Sequence, residues 1–433
     1  MITTKYVRDN IAVIKASLKK RMSKYPIDRL LSLDTEWRAQ KTNLQKLQTE
    51  RNKASLEVAR LKKAGDDTKG KIAKLSKLKK NIEQIESVLP SYEREMNELL
   101  WNIPNELDSS VPVGNPPEGN KILKKWGRIV EKDILSHEEI LERLKLLDME
   151  RAAKVAGSRF YYLKGDLVLL EQSLGRYALD FFAERGYTPV LPPFMLRKRY
   201  YMGVAPLATF EDALYRIVES KEASSISAIE HVEDELFMIA TAEHSLAAMH
   251  AEEIFSAKDL PLKYAGISSC FRREAGAHGK DQKGIFRVHQ FEKVEQFIYC
   301  KQEDEGKYFD ELLKNSEDIW QALKIPYQLV LLCSGDTGYQ MSKTIDVEGW
   351  FPGQKAYREL GSCSTATEWQ SLRLDIKYDD RGKRKYVCTL NNTGIAITRT
   401  LACIVENYVN SDGTITVPDV LVPYMGKKLI GGT

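Results

Sequence analysis

From Trp37 onward, apolar side chains return every three or four positions. Trp37, Leu44, Leu47, Ala54, Val58 and Leu61 share one stripe, with Gln40 and Arg51 filling its register. The stripe stops over 62–70, where glycine and aspartate cluster. It resumes through Leu75, Leu78, Ile82, Ile85, Leu89, Tyr92, Met96 and Leu99. A narrow seam of this period predicts a helix that buries one face against a partner. Two seams joined by a short polar break predict an antiparallel two-helix coiled-coil arm. Val7, Ile11, Ile14 and Leu18 predict a short helical lead-in. Residues 1–110 are therefore expected to form an N-terminal helical arm domain.

Periodicity then fails. The stretch 111–119 reads VPVGNPPEG, and 111–120 is the expected linker. A second domain is expected over 121–433. It alternates helical patterns (about 138–151, 167–185, 244–254, 304–323 and 395–408) with strand patterns (187–195, 236–243, 327–333, 343–350, 355–362 and 386–391). Strands at hairpin spacing with flanking helices indicate an α+β fold built on an antiparallel sheet. The acidic, serine-rich 218–235 is expected as a surface insertion or mobile loop. The tail from Val417 is expected as compact loop.

One stretch breaks the usual pattern. Residues 270–297 read CFRREAGAHGKDQKGIFRVHQFEKVEQF, which predicts strand, polar loop, strand. Alternation places Arg272 and Glu274 on one face of the first strand. It places Arg287, His289, Phe291, Lys293 and Glu295 on one face of the second. A solvated edge hairpin carries charges in this way. It has no need of a phenylalanine among them, nor of three glycines in a basic loop; an anionic, planar ligand on that face needs both. Upstream, Thr241 and Glu243 end a strand, as an N-cap with a first-turn acid or as the polar rim of a pocket.

Charge changes the picture of the arm. Between Arg38 and Lys80 there are fourteen Lys or Arg against four acidic residues, although net charge is only +4 over 433 residues. A solvated helix face carries such charge; so does an arm that follows an RNA backbone. The absence of aromatic interleaving favours backbone or shape contact over base stacking. The six cysteines contain no CxxC pair, and the N-terminus has no apolar core of signal-peptide length, so a cytoplasmic protein with reduced thiols and no membrane span is expected. There is no GxxxxGK[ST] loop, no strand-linked GxGxxG and no HExxH. Gln340–Thr344 (QMSKT) echoes a KMSKS loop, but its companion HxGH is absent. The chemistry falls to arginines and carboxylates, hence to positioning and electrostatics.

Phe271-Arg272-x-Glu274, followed by Val288-His289-Gln290-Phe291, resembles motif 2 of class II aminoacyl-tRNA synthetases. Gly394-Ile395-Ala396-x-x-Arg399-x-Leu401 resembles motif 3, and the Pro192-Pro193 strand end is similar to motif 1. Thr241-Ala242-Glu243, Lys293-Val294-Glu295, Ser362-Cys363-Ser364, the tail and the two-helix arm together resemble the seryl-tRNA synthetases, with wording closer to archaeal members. The resemblance implies a class II antiparallel sheet flanked by helices, and an ATP-dependent, Mg²⁺-dependent homodimer that joins L-serine to tRNA(Ser), and to tRNA(Sec) where present. It implies that Arg272 and Arg399 are catalytic, with Arg272 on the α-phosphate. Phe291 would stack adenine, Glu274 would meet its edge, and Arg287 and Arg399 would hold the γ-phosphate. Arg273, Val288, His289, Gln290, Leu360 and Gly361 complete the implied ATP site. Glu359 and Ser362 would hold Mg²⁺, though ordinary strand residues also fit there. Thr241, Ala242, Glu243, Arg272, Glu295 and Thr393 would hold serine, and Arg51, Lys53, Arg60, Lys62, Lys63, Lys69, Lys71 and Lys74 would meet tRNA. Two departures stand out. Ile239-Ala240 replaces the usual Ile-Pro, and in TATEWQSLRLDIKY only Gln370 and Arg373 keep the family pattern. Two rivals remain: a paralogue loading another small amino acid or carrier, and a non-catalytic RNA-binding homologue.

Overall fold

The computed structural model describes residues 3–131, 133–206, 211–218, 235–274 and 284–431. Residues 219–234 of the expected 218–235 loop, and 275–283 within the polar loop of the 270–297 stretch, fall outside these residues.

The chain divides into two compact units, one holding residues 2–19 and 23–104, the other 20–22 and 105–433. In the first, α1 (Thr4–Asp9) and α2 (Ile11–Lys20) precede α3 (Ile27–Ala64) and α4 (Lys69–Trp101). Leu44, Ile82, Ile85 and Leu89 form the seam, with Trp37 and Leu47 packed against it. Exposed ion pairs bridge the antiparallel helices at both ends, Arg29–Glu95 at one and Lys71–Glu57 at the other. Gly65 closes α3 in the left-handed region, φ 80°, returning its N–H to the carbonyls of Leu61 and Lys62.

The second unit is built on an eight-stranded sheet. Its strands are β1 (Lys121–Trp126), β2 (Thr188–Val190), β3 (Leu262–Phe271), β4 (Gln290–Cys300), β5 (Tyr327–Leu331), β6 (Lys343–Phe351), β7 (Ala356–Thr367) and β8 (Cys388–Ala396). Their order is β1-β5-β6-β7-β8-β4-β3-β2. All neighbours are antiparallel except β2 and β3. α5 (Asp166–Ala183), α7 (Glu305–Ala322) and α8 (Ile397–Tyr408) cover one face. Asn315 of α7 bonds Gln296 of β4 there, at 2.8 Å. The other face carries the charged residues of β4 and, beyond them, α6 (Ala242–Ala248). All six cysteines are buried and free.

Several expected boundaries move. β3 stops at Phe271, so Arg272 and Glu274 lie just beyond it; pairing continues for one bond, Arg272 N–H to His289 O at 2.9 Å, and Glu274 then turns at φ 47°. The expected 236–243 strand ends at Met238, and the expected 244–254 helix is α6, because Thr241 caps it early. The 138–151 helix is two, His137–Arg143 and Met149–Ala156, parted by left-handed Lys145. Residues 105–119 contain no helix or strand. They are tied to the second unit by Asn105 N–H to Tyr339 O and Asp108 N–H to Ser342 O, which is why that unit begins at Asn105. No helix among the described residues is long and apolar enough to cross a membrane.

Candidate active site

β4 sets the axis of the site. Its even residues Val294 and Ile298 join the core under the helices, while Phe291, Lys293 and Glu295 line a cleft of about 330 Å³ on the opposite face. At about 3.3 Å per residue, Phe291 and Glu295 stand roughly 13 Å apart along the strand, long enough for a base at one end and an amino acid at the other.

Two β-bulges decide which residues join them. β4 and β8 pair Val294 with Ile395 and Glu295 with Thr393, leaving Gly394 extra. Asn391 and Thr393 reach the cleft before this bulge and Ala396 after it. The position is crowded: a Cβ would lie 2.6 Å from the Phe182 ring and 3.0 Å from the Val294 oxygen, so any larger residue has to displace one of them. β6 and β7 pair Val347 with Gly361 and Glu348 with Glu359, leaving Leu360 extra. Glu359 and Ser362 therefore both line the cleft, where strict alternation would separate them.

One end of the cleft is acidic. Thr241 is the N-cap of α6 and accepts from the Glu243 N–H at 3.2 Å, while its hydroxyl donates to Glu295 Oε2 at 3.3 Å. Cap and pocket rim are thus the same residues. Glu295 pairs with Lys293, both nearly fully buried. Glu243 accepts from the Gln370 amide at 3.0 Å. Its carboxyl is pushed up to about 7, first by burial and then by Glu295, against the pull of Lys293, Gln370 and Arg272. The adjacent His244 bonds the Tyr201 hydroxyl at 2.7 Å; burial, with Lys293 and Arg272, lowers it to about 3, so it is neutral.

The other end is basic. The Arg272 Nε donates to the Ala240 carbonyl at 3.3 Å, and its guanidinium lies 5.2 Å from the Phe291 ring centre. Arg287 faces Glu274 at 3.3 Å. Arg399 pairs with Glu359 at 3.1 Å and holds that carboxyl below its usual range, so it is charged. Asp346, on β6, is pushed well above the carboxylate range by burial, then by Glu359 and Glu348.

Most residues singled out in the sequence converge on this cleft, Val288, Leu360 and Gly361 included. Four do not line it. Arg273 is exposed, Gln290 is exposed at the start of β4, and the buried Ala242 packs towards Gly266, where a Cβ would come within 3.3 Å of its methyl group. His289 instead bonds the Arg272 carbonyl at 2.8 Å and its ring faces Phe160. Gln340 and Asn391 also line the cleft; sequence reasoning named Gln340 only in the QMSKT echo that it set aside, and it missed Asn391. Asn391 was within reach of alternation, two residues before Thr393; Gln340 sits on a loop with no period. In the first unit, Lys53, Arg60, Lys62, Lys63, Lys69, Lys71 and Lys74 are exposed and Arg51 half-buried, with Lys71 paired to Glu57 at 2.8 Å.

Comparison with known proteins bears on both units. Residues 226–408 match the tRNA synthetase class II core domain (G, H, P, S and T), and residues 1–107 match the seryl-tRNA synthetase N-terminal domain. The serine–tRNA ligase of Cenarchaeum symbiosum is 44% identical, over 99% of this chain and 100% of its own. A crystal structure of seryl-tRNA synthetase from Pyrococcus horikoshii complexed with ATP superposes with a TM-score of 0.90 at 41% identity, covering 99% of each chain. The cytoplasmic serine–tRNA ligase of Naegleria fowleri in complex with AMP superposes with a TM-score of 0.84 at 35% identity, covering 98% of this chain and 96% of that one.

Proposed function

The chain belongs to the seryl-tRNA synthetase family of class II aminoacyl-tRNA synthetases, and we propose that the cleft on β4 is where it activates and transfers serine. It is a serine–tRNA ligase: ATP and L-serine give seryl-adenylate and pyrophosphate, and the seryl group passes to the 3′ end of tRNA(Ser). One observation carries the site assignment: an acidic, hydroxyl-lined end and an arginine-lined end with an aromatic ring share one cleft.

Each residue then has a task. Glu243 and Glu295 take the serine ammonium, while Thr241 and Thr393 bond its hydroxyl. A pocket built to bond a hydroxyl rejects alanine, whose methyl would strand those groups. Phe291 stacks the adenine and Glu274 meets its edge. Arg272 sits where the serine carboxylate oxygen attacks the α-phosphorus and neutralises the charge that builds there. Arg287 and Arg399 hold the far phosphates, so pyrophosphate leaves in line with the attack. The 3′-hydroxyl of the terminal adenosine then attacks the seryl carbonyl carbon, and AMP departs.

Mg²⁺ fits this end. Among the described residues no group of three His, Cys, Asp or Glu could hold a metal alone. Glu359, charged and half-exposed, and Ser362 offer the few hard oxygens such an ion takes from protein when phosphates and water supply the rest. When bound, the ion would neutralise phosphate charge.

The helical domain over 1–110 is taken to bind tRNA through its basic shaft, and 121–433 to do the chemistry. Exposed Leu191 and Met195, flanking Pro192-Pro193, support a homodimer, which a light-scattering mass tests. Six free thiols support a cytoplasmic setting.

Serine-dependent ATP–pyrophosphate exchange, followed by charging of tRNA(Ser), tests the reading. Exchange is expected with serine, is abolished in Arg272→Ala, and is lost on chelation and restored by Mg²⁺. Exchange with another amino acid but not serine would sink it; exchange without charging would favour the carrier-loading paralogue.

A further inference from the structure

This inference rests on serine being bound where Glu243 stands. Glu243 is 8% exposed and must be charged to take an ammonium, yet its surroundings favour the neutral acid. One neighbour bears on this from behind the cleft wall. Gln370 comes from the short helix Trp369–Leu374 and is fully buried. Its Nε2 donates to Glu243 Oε1 at 3.0 Å and to the Val204 carbonyl at 3.3 Å, and its Oε1 accepts from Thr389 Oγ1 at 2.7 Å. These partners fix the amide. Reversed, its oxygen would face a carboxylate and a carbonyl.

We propose that Gln370 is a positioning residue for serine: its amide, locked by Thr389 and Val204, aims Glu243 at the substrate ammonium and favours its carboxylate form. The charged groups facing Glu243 are Glu295, which opposes ionisation, and Lys293 and Arg272, which favour it; His244 beside it is neutral. Tyr201, whose hydroxyl burial keeps protonated, also faces it, and Gln370 itself carries no charge. Replacing it leaves the charge of the cleft intact and isolates the hydrogen bond.

The test is the pH profile of serine-dependent exchange in Gln370→Met, which keeps the length and removes the amide, and in Thr389→Val, which keeps the amide and removes one of its two locks. In Gln370→Met the acid limb of kcat/KM for serine is expected to move up by about one pH unit, a roughly tenfold loss at pH 6.5. The loss is recovered at pH 8.5, and KM for ATP is unchanged. Thr389→Val is expected to shift the limb the same way by less, and it carries the test if Gln370→Met does not fold. A loss equal at all pH values, an unmoved limb, or a parallel rise in KM for ATP would overturn the proposal. Absence of serine-dependent exchange in the unaltered protein would overturn the functional reading, and this proposal with it.

Discussion

Glu243 lowers the stability of the protein it serves. Its folded pKa, about 7, lies above the ordinary glutamate value of 4.5. The neutral acid suits the fold, so the penalty is absent below pH 4.5, grows between the two values, and is complete above about 7. Glu243→Gln keeps a partner for Gln370 and removes the charge. It is expected to stabilise the protein by up to roughly 3 kcal/mol at pH 8 and by little at pH 4.5, read as the urea midpoint at each pH, while serine-dependent exchange is lost. Phe291 and Glu295 were legible because a side chain at odds with its strand face stands out. Glu243 was visible as a residue and not as a titration problem, since that depends on Glu295 and Gln370, 52 and 127 residues away. Gln340, on an aperiodic loop, was visible only within the QMSKT echo, which points to a different chemistry and not to this cleft.

At the level of elements, strand and helix patterns located the strands of the main sheet other than β1 and the helices packed on it, but not their ends, and they missed short elements such as Lys198–Val204 and Trp369–Leu374. Thr241 shows why: the same hydroxyl that ends a strand pattern also caps the next helix, and the cap won. The bulges are subtler. An extra residue reverses the inward and outward faces downstream, so counting by twos from Glu359 misplaces Ser362, and from Thr393 misplaces Ala396. Only the pairing partners reveal the shift. Gly394→Ala tests the consequence. The added methyl group must displace the Phe182 ring or the Val294 carbonyl, a loss expected at about 1–3 kcal/mol. Because Thr393 moves with it, KM for serine is expected to rise more than KM for ATP. A variant that loses stability but keeps both KM values would show that the bulge serves packing alone.

For the whole molecule, the seam and the uneven charge of the arm were plain in the sequence, because a helix pair of one narrow stripe leaves the rest in water. Reversing Lys62, Lys63, Lys69 and Lys74, all exposed, to glutamate is expected to spare ATP–pyrophosphate exchange and weaken tRNA binding. The salt dependence of that binding becomes shallower by roughly one unit of log–log slope for each phosphate that no longer meets a lysine. Loss of exchange in the same variant would contradict the division of labour. The thiols divide the molecule as well. All six cysteines are buried, all lie beyond residue 269, and burial pushes several of them, Cys270 and Cys403 among them, above the usual thiol range. A thiol is attacked as its thiolate and only where a reagent can reach it. A chromogenic thiol reagent mixed with the native protein therefore has to wait for the larger unit to open, and its colour clocks that opening without any introduced label. The arm, with no sulfhydryl of its own, can melt and refold without starting the clock.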